Sequence, residues 1–445
     1  MSFIVRQSRM LLIGLPLLAA SCEPAAMARY RHSLPDAPGP RPPALDEDPF
    51  PDAAVLERRP LIDAVLARNP DIGAARASWR RALSRVPQET ALPDPMVSYS
   101  LAPLSIAGGA PFGQRIEIEQ KLPIANRRDL AGEVALAEAE AAHDDVEAVR
   151  LRLAAMASSM FDDYYLTARA LEVDAHHRSL LEEMRASAEA QYTAGRAAQQ
   201  DPLQADVELA MLDRDRLTHE TERKVAIAQI NGLLHRAPGA SLPPPPKQLA
   251  VPPGDTLDER AMTDAALSAR PELRAQDARI RRGTAARQLA DRAAWPELGV
   301  MASYDSMWDM PEHRWMVGVS VEVPLARGRR AAARDGADAE TEQATLVRER
   351  IADEIRVEVR TSIERVAEAR AALALYEQRL LPAARAQVEA ARAGFIANRN
   401  EFQAVIVAER SLRHVTLDIE RARADVHRRL AELDRAVGRS AGGVR

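Results

Sequence analysis

The chain has 445 residues, 47% hydrophobic, 28% charged and only 4% aromatic, with a formal net charge of −5. This balance excludes a disordered chain and a bundle of membrane-spanning helices, and the surplus of Ala, Arg, Glu and Leu favours long helices and coiled coils. Acidic and basic residues are interspersed with no basic stripe, which sets nucleic acid aside as a partner.

Residues 1–21 read as a secretory signal: Arg6 and Arg9 precede an apolar run from Leu11 to Leu18, and the small residues Ala19, Ala20 and Ser21 follow. The run is short for a membrane span. Cys22, the only cysteine, comes next and resembles a bacterial lipid-attachment site, with Leu18 one place further back than usual and Ala19 in its stead. The alternative is ordinary cleavage nearby. Residues 22–52 hold eight prolines, among them Pro35, Pro38, Pro40, Pro42 and Pro43, and predict an extended, semi-rigid arm.

From residue 53 the chain repeats itself, over 53–239 and 257–438, with a proline-rich linker at 240–256 and a flexible end at 439–445. Asp63 to Ile72 aligns with Asp264 to Leu273 at an offset of 201, as do Pro95 with Pro296 and Ile116–Pro123 with Val317–Pro324. The tips follow at 203, Tyr192 pairing with Phe395 and Gly195 with Asn398. Leu234–Gly239 and Leu433–Gly438 read as equivalent ends.

Each repeat predicts a first helix (about 53–90 and 257–293), a strand hairpin (about 96–122 and 297–323), a helix of some sixty residues, a tip (about 192–201 and 395–402) and a shorter returning helix. Sixty helical residues span about 90 Å and need partners throughout. Val359, Val366, Leu373 and Leu380 recur every seven residues, with Ala369 and Tyr376 in the companion position, which is coiled-coil spacing. At the first tip Gly195 suits the left-handed residue that ends a helix, Asp201 suits a cap for the next helix and Pro202 its first position.

The strand runs alternate. Trp315, Val317, Val319 and Val321 share one face, and Met316, Gly318, Ser320 and Glu322 the other. In 114–122, Ile116, Ile118, Gln120 and Leu122 oppose Arg115, Glu117, Glu119 and Lys121. Nine or ten residues suit a tilted transmembrane strand, and Trp295, Trp308 and Trp315 cluster at the second hairpin, as at a membrane interface. A soluble sheet packed on helices would alternate in the same way. Four strands are too few to close a barrel in lipid, so two copies (eight strands) or three (twelve) must pool them.

This duplicated plan, with the Asn69-Pro70 and Arg270-Pro271 openings, the run Val321 to Leu325 and the two tips, resembles the TolC family of outer-membrane efflux ducts. The resemblance implies a mainly α fold with a small β part: a long antiparallel α-helical coiled-coil barrel plus four transmembrane β-strands per chain. A homotrimer would complete a twelve-stranded barrel in the outer membrane, with the helical tube in the periplasm. It also implies a periplasmic adaptor (membrane fusion) protein and an inner-membrane resistance-nodulation-division pump for drugs or heavy-metal ions as partners, with Cys22 as lipid anchor. The adaptor would dock on Tyr192, Thr193, Ala194, Gly195 and Arg196, and on Phe395, Ala397, Asn398 and Arg399. Aspartates that often narrow the mouth in this family are replaced by Ala404 and Val407. Asp201, Glu401 and Phe402 are the remaining candidates for a periplasmic constriction, by Phe402 itself or by pairing of Asp201 with Arg399. Rival readings are a duct for type I protein secretion and a periplasmic coiled-coil scaffold with no pore.

Met307, Met310, His313 and Met316 lie in or next to the second hairpin loop and are soft or borderline ligands suited to Cu(I) or Ag(I), although methionine is also a general gap-filler. His176 and His177 fall mid-helix among charges and read as solvated or seam positions. No phosphate loop, zinc-protease motif, nucleophile elbow or thiol pair is present, so neither an enzyme nor a cofactor is expected.

Overall fold

A computed structural model describes residues 24–34, 47–103, 112–253, 257–397 and 399–439. The signal segment, Cys22, residues 35–46 of the arm, 254–256, Asn398 and 440–445 lie outside the described residues. The chain divides into two compact units. No described helix is long and apolar enough to cross a membrane.

The first unit is built around a four-stranded antiparallel sheet. Its strands are β1 (Met96–Ala102), β2 (Gly113–Leu122), β3 (Glu297–Asp305) and β4 (Trp315–Glu322), hydrogen-bonded in that order. The two hairpins of the sequence repeat thus meet through β2 and β3. A short helix, α1 (Ala25–Ser33), belongs to the same unit. The Ala26 N–H donates to Asp129 Oδ1 at 3.1 Å, and Met27 and Tyr30 pack on Val86, Ala135 and Leu136. Gly132 is required by this approach: a Cβ there would stand 2.5 Å from Thr90 Cγ2 and 2.8 Å from Ala26 Cβ.

The expected single first helix of each repeat is broken, into three helices in the first copy and two in the second. In the first copy α2 (Arg58–Arg68) stops before α3 (Pro70–Leu83), and a further short helix, α4 (Arg85–Thr90), follows. The physical cause is proline, which drives the preceding residue, Asn69, to extended backbone with ψ 127. The long helix of the first copy is α5 (Arg127–Thr193), and α6 (Gln200–Leu233) returns from the tip. In the second copy α7 (Glu259–Ala269) and α8 (Pro271–Arg292) are separated by Arg270, at ψ 122, for the same reason.

The remaining helices are α9 (Arg327–Leu375), a π turn over Tyr376–Leu380, α10 (Leu381–Ile396) and α11 (Phe402–Val437). The π turn corrects the heptad reading. Val359, Val366, Leu373 and Ala369 are buried as expected, but Leu380 is exposed. A π turn holds one residue more than an α turn, so the buried series runs Ala352, Val359, Val366, Leu373 and then resumes at half-buried Leu381 and buried Val388. The companion series likewise passes from Ala369 to Ala384 and Ala391.

The second unit has its main core where α2 packs on the middle of α5 and the end of α6, through Leu61, Ile62, Val65, Phe161, Tyr164, Tyr165, Ile230 and Leu234. Arg58 reaches into it, donating to Ser158 Oγ at 2.7 Å and to both oxygens of Asp162 at 2.6 and 3.0 Å. The proline linker is tied to this core, since Leu56 N–H donates to the Pro244 carbonyl at 2.9 Å and Tyr164 Oη to that of Pro243 at 3.1 Å.

The openings Asn69 and Arg270 do the same work in both copies. Asn69 Nδ2 donates to the Leu233 carbonyl at 3.0 Å, and Arg270 Nη1 to those of Ala436 and Arg435 at 3.1 and 3.3 Å. Each satisfies carbonyls left orphaned at the end of its repeat's last helix. Those helices also end alike. Arg236 N–H returns to the Asn231 carbonyl around His235 at φ 52, and Arg439 N–H to that of Asp434 around Gly438 at φ 83. These are matching Schellman ends. His235 and Gly438 are 203 apart, so the pairing of Leu234–Gly239 with Leu433–Gly438 is corrected: the tip offset persists to the end.

Candidate functional site: an uncovered sheet face and two helical tips

The sheet register sorts its side chains into two faces. Val97 lies opposite Ile118, which lies opposite Ala302, which lies opposite Val317. Tyr99, Ile116, Tyr304 and Trp315 form the next row, and Gln120, Val300 and Val319 flank on the other side. This apolar face is not covered. Val317 is 87% exposed, Val319 67%, Val97 65% and Ile118 49%. A sheet packed on helices would bury these residues, so the soluble-sheet alternative fails on exposure rather than on pattern. The opposite face carries Ser98, Ser100, Arg115, Glu117, Glu119, Lys121, Ser303, Ser320 and Glu322 in the complementary rows. Among the described residues β1 and β4 each pair on one side only, which leaves two open edges.

Both tips are turns in the second unit. Arg196 N–H bonds the Gln191 carbonyl at 2.8 Å and Gly195 N–H that of Tyr192 at 2.9 Å, with Gly195 at φ 70: a complete Schellman motif. At the second tip Arg399 N–H bonds the Gly394 carbonyl at 2.8 Å, the longer of the same two bonds. Tyr192, Thr193, Ala194, Gly195 and Arg196 are exposed, as are Ala397 and Arg399. Phe395 is half-buried against Phe402, ring centroids 5.5 Å apart.

The structure revises the candidate constriction. Phe402 is only 2% exposed and packs with Leu181, Ala188, Ala205, Leu212 and Ile406, so it is the core of the tips and not a pore-lining ring. Asp201 does not cap α6, which starts one residue earlier without a side-chain cap. It sits in the first helical turn. Burial, and then the nearby Glu401 carboxylate, raise its pKa, so its charged neighbour is an acid rather than Arg399. Ala404 and Val407 are exposed beside these groups in sequence.

One constellation was missed. Asp174, on α5, accepts from Arg413 of α11 at 2.7 and 3.1 Å and faces His219 Nδ1 of α6 at 2.7 Å. Arg413 also donates to Asp215 at 3.0 Å. Asp174 is 2% exposed. Burial alone pushes its carboxyl up, but hydrogen bonds from His219 and Arg413 outweigh this and hold it below its ordinary value. The bond to Asp174 raises His219 in turn. His177 is buried beside this knot, and burial, reinforced by Arg413, lowers it to about 4. A faint sequence signal existed: Asp174 stands seven residues before Leu181 and fourteen before Ala188, all three buried. Of the mid-helix pair, His176 is exposed and His177 occupies the seam.

Met307 and Met310 are largely exposed, and the His313 ring lies edge-on to Trp308 at 6.0 Å. Among the described residues no group of three or more His, Cys, Asp and Glu side chains is placed to hold a metal ion.

A four-stranded antiparallel sheet together with paired long helices is a fold shared with solved outer-membrane channels. Solved channels with this fold include CusC, at 18% identity and TM-score 0.73 over 91% of this chain and 98% of that one. VceC from Vibrio cholerae matches at 16% and 0.72 over 86% and 96%, and MtrE from Neisseria gonorrhoeae at 18% and 0.68 over 92% and 98%. No curated protein matches the chain by sequence. Residues 262–439 match the model of the outer membrane efflux protein family.

Proposed function

We propose that the chain is the outer-membrane duct of a tripartite efflux system, a passive, water-filled path for small solutes driven by partners. The observation that carries this is the sheet: one face apolar and uncovered, the other polar and charged, both edges open. Lipid accepts such a sheet only when it closes with others, and three copies supply twelve strands. The helical tube then stands in the periplasm, and the exposed tips at Tyr192–Arg196 and Ala397–Arg399 meet an adaptor protein, which joins the duct to an inner-membrane pump. Arg196 and Arg399 bring planar donors suited to carboxylates, and Gly195 leaves room for another backbone.

A lipid on Cys22 fits the docking of α1. Ala26 is bonded to Asp129, seven residues beyond the end of β2. Four residues reach at most about 14 Å, so acyl chains on Cys22 would enter lipid close to the base of the sheet. The test is reconstitution of the purified mature protein. A heat-labile oligomer from outer-membrane fractions that conducts across planar bilayers is expected. A monomer that stays in water without detergent and carries no current would refute the proposal.

A further inference from the structure

The polar face of the sheet has one chemical oddity. Among its strand residues the large apolar side chains are all methionine: Met96, Met301 and Met316. Every Val, Ile, Leu, Trp and Tyr of the strands is on the opposite face. Five of the 13 methionines fall in the two hairpins, a small part of the 445 residues, so the enrichment is local. Met96 and Met301 flank Glu119 in one row across the sheet. Met301 is opposite Gly318, and its Cγ and Sδ lie where a Cβ at 318 would be 3.1 and 3.4 Å away. The thioether therefore lies over β4, where Met316 is its diagonal neighbour, about 7–8 Å away in backbone terms and within reach of two long side chains.

The carboxylates around them already have partners. Glu117 is paired with Arg115, Glu322 with Lys121 and Glu297 with Arg127, while Glu119 accepts from Ser320 Oγ at 2.7 Å and Asp305 from the Met307 N–H at 2.9 Å. The oxygen ligands that hard cations prefer are thus engaged, and the soft sulfurs are not. We propose that Met301 and Met316, with Met96 beside them, form a thioether site for a soft monovalent cation, Cu(I) or Ag(I), on the wall of the pore. Met307, Met310 and His313 extend the same chemistry into the loop at the end of the second hairpin. The site rests on reading the polar face as the pore wall, and it makes a soft metal ion one cargo of the duct. Neutral sulfurs without a buried cage bind briefly, as a conducting path requires.

The test uses full-length protein labelled at methionine methyl groups and silver nitrate as probe. Silver is expected to shift the Met301 and Met316 methyl signals before that of Met211, an exposed methionine on α6. It should also reduce KCl current through the reconstituted channel. Met301→Leu/Met316→Leu keeps the apolar volume and should need at least about tenfold more silver for the same block, with unchanged current in its absence. Silver that shifts Met211 in parallel, shifts no methionine, or blocks the double variant equally would overturn the site. A wild-type protein that carries no KCl current would instead defeat the duct reading, while the methyl shifts still report on the metal.

Discussion

Arg413 is the residue whose removal most directly tests how the helices of the second unit are held. Met in its place keeps the aliphatic stem and deletes the guanidinium. Three hydrogen bonds go, two to Asp174 and one to Asp215, and the nearly inaccessible Asp174 carboxylate loses the one arginine that bonds it among the described residues. Breaking one side of a buried ion pair costs about 3–5 kcal/mol. Two features trim this: His219 stays on Asp174, and Asp215 keeps Arg214 at 2.5 Å. We expect a loss of about 2–4 kcal/mol, read as a shift in urea unfolding of the detergent-solubilised protein by circular dichroism. Asp174→Asn should lose less, and the double variant should show a coupling of at least about 1 kcal/mol. A loss below about 0.5 kcal/mol in Arg413→Met, or strict additivity, would show that the knot does not bind the three helices.

Further outcomes follow from the same geometry. Phe402→Ala should destabilise by about 3–5 kcal/mol and leave single-channel current unchanged in the folded fraction; normal stability with a larger current would restore Phe402 as a constriction. His177 has its folded pKa lowered to about 4, so unfolded chains protonate first and stability falls as pH drops from about 6.5 towards 4. His177→Gln should therefore stabilise relative to wild type at pH 5 and not at pH 8, whereas His219, raised by Asp174, loses its contribution as pH rises through its own folded value. Val317→Arg puts a charge on the uncovered face, and should cost about 2–4 kcal/mol if that position lies near mid-bilayer, measured as loss of heat-labile oligomer; unchanged assembly would remove the face from lipid.

Much of this architecture was legible because its signals are periodic. Alternation in 315–323 gave both faces of β4, and the constant offset gave the duplication. Gly195 announced its turn through a backbone conformation that few other residues accept. What escaped was long-range or depended on burial. Asp174 and Arg413 are 239 residues apart in sequence, and no local pattern pairs them. Phe402 looked like a ring at a mouth because an aromatic beside a tip gives no sign of which way it faces. Alternation could not tell a sheet covered by helices from an uncovered one; the exposure of Val317 and its neighbours does.

The wide turn at Tyr376–Leu380 has a consequence for how two unequal arms finish level. Strands of the two copies are 201 residues apart, but the tips and the final Schellman ends are 203 apart. The second copy must therefore store extra length between β4 and its tip. One residue added to an ordinary α-helix swings everything beyond it by about 100°, which would carry Val388 and Ala391 out of the seam. The π turn absorbs a residue without that swing, so Phe402 can still seat beside Leu181 and Ala205 of the other arm. Deleting one residue inside 376–380 should consequently be tolerated far better than the same deletion a few turns away: of the two extra residues, one is parked at this turn.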